Sequence, residues 1–177
     1  MDIPGIGPVD RDDPTDPWIS EGVPVPLLNA QHVTFIIDGY DEGFSSEYDE
    51  AIAAFLAAPP ALLQDAIPAL FAYYLDHKKL CEQADEPLDV VVSSPDRVLE
   101  HIYFGDTEVV VARRNEPDRS VYVSVSGGCD WETEHGLQVV FKGGSTVCKV
   151  GPYDGHFTNA DAYGDPTLEG VVFHPTA

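Results

Sequence analysis

Helical periodicity first and strand periodicity later predict an α+β protein, with N-terminal helices packed on one face of a mostly antiparallel sheet of four to six strands. Three observations carry that expectation. Apolar residues recur at helical spacing between Tyr48 and Tyr74. From Thr107 onward the apolar period changes to two. Turn-forming segments, among them Gly143-Gly144, separate the later runs.

Residues 1–26 carry Pro4, Pro8, Pro14, Pro17, Pro24 and Pro26, together with Gly5, Gly7 and several aspartates from Asp10 to Asp16. Such a composition buries little surface by itself and predicts an extended arm, docked through Trp18 and Ile19 onto a single domain at 27–177. The body opens with a β-branched run from His32 to Ile37, ended by Asp38-Gly39. Ser46 and Asp49 have capping-box spacing. Behind them Tyr48, Ile52, Phe55 and Leu56 share one helical face, which Pro59-Pro60 terminates. Leu63, Ile67, Leu70, Phe71 and Tyr74 share another, and Pro68 inside it predicts a kink or a restart.

Leu88 to Val92 reads as a strand, and Ser94-Pro95 as the start of a short helix. Glu108–Arg113, Val121–Val125, Leu137–Phe141 and Thr146–Val150 read as four strands of an antiparallel meander. Their links are 115–119, an acidic loop after Cys129, and Gly143-Gly144. Thr158 and Asp161 have capping-box spacing for a last short helix, and Val171 to Phe173 is expected to close the sheet.

With 177 residues and 44% hydrophobic content, one domain can bury a core without staples. Cys81, Cys129 and Cys148 are odd in number and irregularly spaced, which favours free thiols in a reducing compartment. The start shows no charged n-region followed by an apolar h-region. No apolar run nears the roughly 20 residues that span a bilayer. These features predict a cytoplasmic protein without a membrane partner. The formal net charge is −22, from 31 acidic and 9 basic residues. Phosphate backbones repel such a chain, which excludes nucleic acid as a partner and leaves two readings of the charge: solubility, or complementarity to a basic protein.

The densest chemistry lies between Cys129 and Leu137, with a second polar group at Tyr153-Asp154-Gly155-His156. Folded together, Asp130, Trp131, Glu132, Glu134, His135, Tyr153, Asp154 and His156 would form one binding surface. Glu132, His135, Asp154 and His156 offer oxygen and imidazole ligands for a divalent metal, with Glu134 as base. That would make a metal-dependent hydrolase. No zinc-helix or EF-hand pattern accompanies them. A nucleophilic reading pairs Cys129 with His135 or His156 and Asp154, against the physics of a thiol among carboxylates. The structural reading has the carboxylates accepting backbone amides, Gly136 and Gly155 supplying positive φ, and Trp131 plugging the core. His32, His77, His101 and His174 are expected as isolated surface or edge residues. Without a complete catalytic constellation, the sequence favours a non-enzymatic acidic interaction domain with no cofactor, of the immunity type that neutralises a basic toxin.

The segments Cys129-Asp-Trp-Glu-x-Glu-His-Gly-Leu-Gln-Val-Val-Phe141, Val150-Gly-Pro-Tyr-Asp-Gly-His156 and Thr158-Asn-x-Asp-Ala162 carry a resemblance. Ala51 to Leu56, Tyr73-Tyr74, Ser94-Pro95, His101-Ile102 and Phe104-Gly105 fit the same pattern. Together they resemble an uncharacterised family of small bacterial domains over about residues 30 to 173. His156-Phe157 stands where the family pattern has His-Leu. The resemblance implies a bacterial cytosolic origin and brings no activity.

Overall fold

The computed structural model describes residues 1–29, 31–40, 43, 45–105, 107–114 and 118–176. The four late strands are present, with β8 running four residues past its expected end and β9 starting five before its expected start: β7 (Glu108–Arg113), β8 (Val121–Cys129), β9 (Glu132–Lys142) and β10 (Thr146–Gly151) form an antiparallel meander. Residues 115–117 of the first expected link lie outside the described residues. Gly143 and Gly144 both take positive φ, as the tight β9–β10 turn requires. A Cβ on Gly144 would come within 2.0 Å of the Ala51 carbonyl, so the hairpin tip is also seated on the first helix.

The sheet is larger than the four to six strands expected: ten strands join it. The surplus comes chiefly from residues 1–26, which are not an extended arm. They form β1 (Asp2–Ile3), β2 (Gly7–Asp10), β3 (Trp18–Ser20) and β4 (Val23–Val25). β3 and β4 pair antiparallel with opposite ends of β5 (Gln31–Asp38), and Ile3, Val9 and Val25 enter the core. Strands of two to four residues are too short for a period to show, and prolines mask them further. Prolines are tolerated here because Pro24 sits in β4, which pairs only with β5, and Pro8 meets only the two-residue β1. β5 runs parallel to β7, because two helices intervene and carry the chain across; every other pairing is antiparallel. β6 (Ile102–Tyr103) pairs with the end of β8.

Helix α1 (Ser45–Ala57) buries Tyr48, Ala51, Ile52 and Phe55, and Phe55 packs edge-on against Phe35 and tilted against Phe141. Its Asp49 accepts a hydrogen bond from the Tyr40 hydroxyl at 2.9 Å, and Ser46, the expected cap, lies inside the helix. Pro59-Pro60 ends α1, a 3-10 turn follows over Pro60–Ala66, and α2 (Ile67–Gln83) restarts with Pro68 in its first turn. A proline costs nothing there, since its missing amide would have lacked a helical partner. Both helices lie on one sheet face. Among the described residues no single helix is long and apolar enough to cross a membrane.

Leu88 to Val92 is not a strand. Its burial alternates as expected, with Val92 buried and Val91 70% exposed, but no neighbouring strand pairs with it. Ser94-Pro95 does begin a 3-10 helix, Pro95–His101. Val171 to Phe173 adds no strand either; it packs on the core as coil, and the Val150 amide donates to the Val172 carbonyl at 2.7 Å.

The outer sheet face, away from α1 and α2, is only half covered. At the β8–β9 end the chain after β10 folds over it. Phe157 stacks on Tyr122 at 5.4 Å, beside the buried Ala112, Val140 and Ala160. Thr158 caps helix α3 (Asn159–Tyr163) by accepting from the Asp161 amide. Arg114, only 5% exposed, holds this segment through Asp161 at 2.8 Å and Glu169 at 2.9 Å. The β3–β5–β7 end stays open.

Candidate functional site

The chain from Cys129 to Leu137 is not a loop. Asp130 and Trp131 form a tight two-residue connection, and β9 begins directly at Glu132. A bulge between Gly127 and Cys129 aims the turn. Gly136 takes φ +65°, and a Cβ there would meet the Gly127 carbonyl at 2.5 Å, so only glycine fits.

Asp130 is exposed and ties the turn down: its amide donates to the His101 carbonyl, and its carboxylate lies 3.0 Å from His101 Nδ1. His101 is therefore not an isolated histidine. Trp131, 2% exposed, is the plug expected, with Tyr73 and Tyr74 edge-on to it at 5.7 and 5.8 Å. Its indole N–H has no hydrogen-bond partner among the described residues.

Glu132 is 8% exposed, and its carboxylate turns back on its own strand. It accepts the amides of Glu134 at 2.7 Å and of His135 at 2.8 Å, and the Tyr73 hydroxyl at 3.4 Å. Tyr73 also donates to the Gly136 carbonyl at 2.9 Å. Burial, then the nearby Cys129 and Glu132, raises the Tyr73 pKa, so its proton stays in place as donor. Glu134 and His135 are exposed, with His135 Nδ1 3.6 Å from Glu132.

The second segment is organised by a residue that the sequence reading missed. Lys149 on β10 is 1% exposed and pairs with Asp154. It also donates to the Gln138 side chain and to the His156 carbonyl, each at 3.1 Å. Gln138 passes the chain on to Ser124 at 2.8 Å. Burial lowers the Lys149 pKa, and the Asp154 carboxylate opposes that shift. The clue in the sequence was a lone cation within an apolar strand, five residues before an aspartate. Asp154 also accepts the His156 amide at 2.8 Å, while Gly155 takes φ +79°. His156 and Tyr153 are exposed.

The eight predicted residues thus divide. Glu132 and His135 belong to the Tyr73 network, and Asp154 and His156 to the Lys149 network. His135 and Tyr153 alone share a feature, a hollow of about 250 Å³ on the outer face that Glu108, Val110, Ser124 and Ser126 also line. Among the described residues no three His, Cys, Asp or Glu side chains converge as a metal would need. The proposed ligand set of Glu132, His135, Asp154 and His156 is corrected accordingly: Glu132 is occupied by amides and Asp154 by an ammonium.

Cys129 is fully buried and its thiol faces the carbonyls of Glu132 and Gly136. Burial pushes its pKa up to about 12, contrary to what a nucleophile needs. Cys148 is likewise pushed up to about 12 by burial. In the unfolded chain a thiol titrates near 9.0, so below pH 9 both states keep the proton and nothing changes. Above it the unfolded state loses protons first, and stability falls as pH rises toward 12. Each thiol should contribute about 1.4 kcal/mol per pH unit in that window. Lys149, with a lowered pKa, works in the opposite sense below 10.5 and offsets part of it. Urea midpoints should therefore drop between pH 9 and 11, and Cys129→Ala should flatten the drop.

No curated protein and no solved structure matches this chain. A family model does, over residues 5–157, so it takes in most of the N-terminal strands that the sequence resemblance left out. The chain belongs to the family described as Domain of unknown function (DUF6985).

Proposed function

We propose that this protein is a non-enzymatic acidic interaction domain that binds a basic protein, in the manner of an immunity protein neutralising a cationic toxin. One observation carries the reading: the acidic excess is left unneutralised at the surface. Of nine cations facing 31 carboxylates, Lys78, Arg97, Arg113, Arg114, Lys142 and Lys149 are already in internal ion pairs. The remaining field attracts cationic surfaces and repels phosphate and anionic lipid.

The polar residues of the two turns support the same reading by what they are doing already. The carboxylates of Glu132 and Asp154 satisfy amides, a hydroxyl and an ammonium, which occupies both of them structurally. Affinity purification at low salt should recover a specific basic partner. Raising salt from about 0.05 to about 0.5 M should slow association by at least about tenfold, because the Debye length shrinks from roughly 14 to roughly 4 Å and screens the long-range steering. Recovery of no specific partner, or of one whose association ignores salt, would overturn the reading.

A further inference from the structure

The outer sheet face contains a bare strip that neither the C-terminal segment nor the helices cover. The register lines up Asp10 with Ile19, Ile19 with Ile36, Ile36 with Val110 and Val110 with Ser124. Paired positions share a face, so Ile19, Ile36 and Val110 form an apolar row across three strands. Ile19 is 48% exposed, and the other two are half-buried. The row runs into the 250 Å³ hollow. At its mouth stands Glu108, exposed, its carboxylate in no hydrogen bond or ion pair among the described residues. Asp10 at the far end and Asp38 at the tip of β5 are exposed as well.

We infer that this strip is the docking surface for the basic partner, and that the partner places an arginine or lysine side chain in the hollow against Glu108. The inference rests on the reading proposed above and names its surface. Charge complementarity selects the occupant. A second copy of this chain would bring Glu108, Asp10 and Asp38 against their own equivalents within a net charge of −22, which is repulsive. A cationic surface with apolar residues satisfies both the carboxylates and the row between them. The hollow suits a long cationic stem: Val110 gives it apolar surface, while Glu108 and the hydroxyls of Ser126 and Tyr153 offer acceptors to the head. Arginine would use several of these at once, which is how it anchors interfaces. The Ser126 hydroxyl donates its proton to the Glu108 carbonyl at 3.2 Å, which leaves its oxygen as an acceptor.

The test uses two synthetic peptides of equal charge, one alternating arginine with valine and one alternating arginine with serine, titrated at low salt into the isotope-labelled protein. Amide shifts with the valine peptide should gather at Glu108, Ser126 and Tyr153, and this peptide should bind more tightly than the serine one. Glu108→Lys should weaken it by about tenfold or more, whereas Glu86→Lys, with the same charge change on a distant exposed turn, should weaken it by less than about twofold. Glu108→Gln, which adds no bulk, should give an intermediate loss and guards against misfolding. Equal losses from Glu108→Lys and Glu86→Lys, or equal affinity for both peptides, would overturn the surface and leave the acidic-binding reading standing. If neither peptide bound at low salt, both would fall.

Discussion

Asp154→Ala should destabilise the protein by about 3 kcal/mol, among the largest losses available to a single surface-proximal side chain. Lys149 is 1% exposed, and its ammonium keeps its charge in the core through Asp154. Removing one partner of a buried pair leaves an uncompensated charge, which typically costs about 3–5 kcal/mol. Asp154 is itself 35% exposed, so water reaches the vacated position and the lower end of that range applies. The Gln138 oxygen and the His156 carbonyl remain as acceptors but carry no charge. The asymmetry is the diagnostic part. Lys149→Met should cost far less, since the half-exposed carboxylate can be hydrated and the methionine fills the same space. Lys149→Met with Asp154→Asn should recover most of the Asp154→Ala loss. The defect should also shrink as pH rises toward 10.5, because a neutral amine is cheaper to bury than an ammonium. Urea unfolding of the set at pH 7 and pH 10 measures all of this.

The second large effect belongs to Glu132. Glu132→Ala should cost about 2–4 kcal/mol, since it strips the amides of Glu134 and His135 of their acceptor and leaves the Tyr73 hydroxyl with only the Gly136 carbonyl. Glu132→Gln keeps one acceptor oxygen and should lose about half as much. A chelator should leave the unfolding midpoint of the parent protein unchanged, because the carboxylate serves amides. A midpoint that falls on chelation, and an Glu132→Gln variant that no longer responds to it, would restore the metal reading.

How much of this was legible in the sequence follows from the physics of each element. β7 was readable to the residue and β10 to within one, because runs of this length show their apolar pattern; the far end of β8 and the start of β9 were not, because Gly127, Gly128 and the polar residues from Glu132 to His135 carry no apolar period. An interruption at Pro68 was readable, as a kink or a restart, and the structure resolves it as a restart because proline is tolerated in the first turn of a helix. The N-terminal strands were not readable: two to four residues carry no period, and what fixes them is pairing with β5, a property of the fold rather than of the segment. Leu88 to Val92 shows the converse, an alternating run without a partner. In the candidate site, residue density was a true signal of a demanding turn. Its chemical meaning was hidden, because Glu132 faces its own amides and Asp154 faces a lysine whose burial depends on the bulge in β10 between Val147 and Lys149.

We propose that the carboxylates of Glu132 and Asp154 are structural and that the molecule works by binding a cationic protein. Native mass spectrometry on protein gently purified from its own host, set against the denatured mass, tests it most directly. The account predicts a metal-free complex with a basic protein that dissociates as salt is raised. A stoichiometric metal adduct on the chain, lost in His135→Ala, would contradict it.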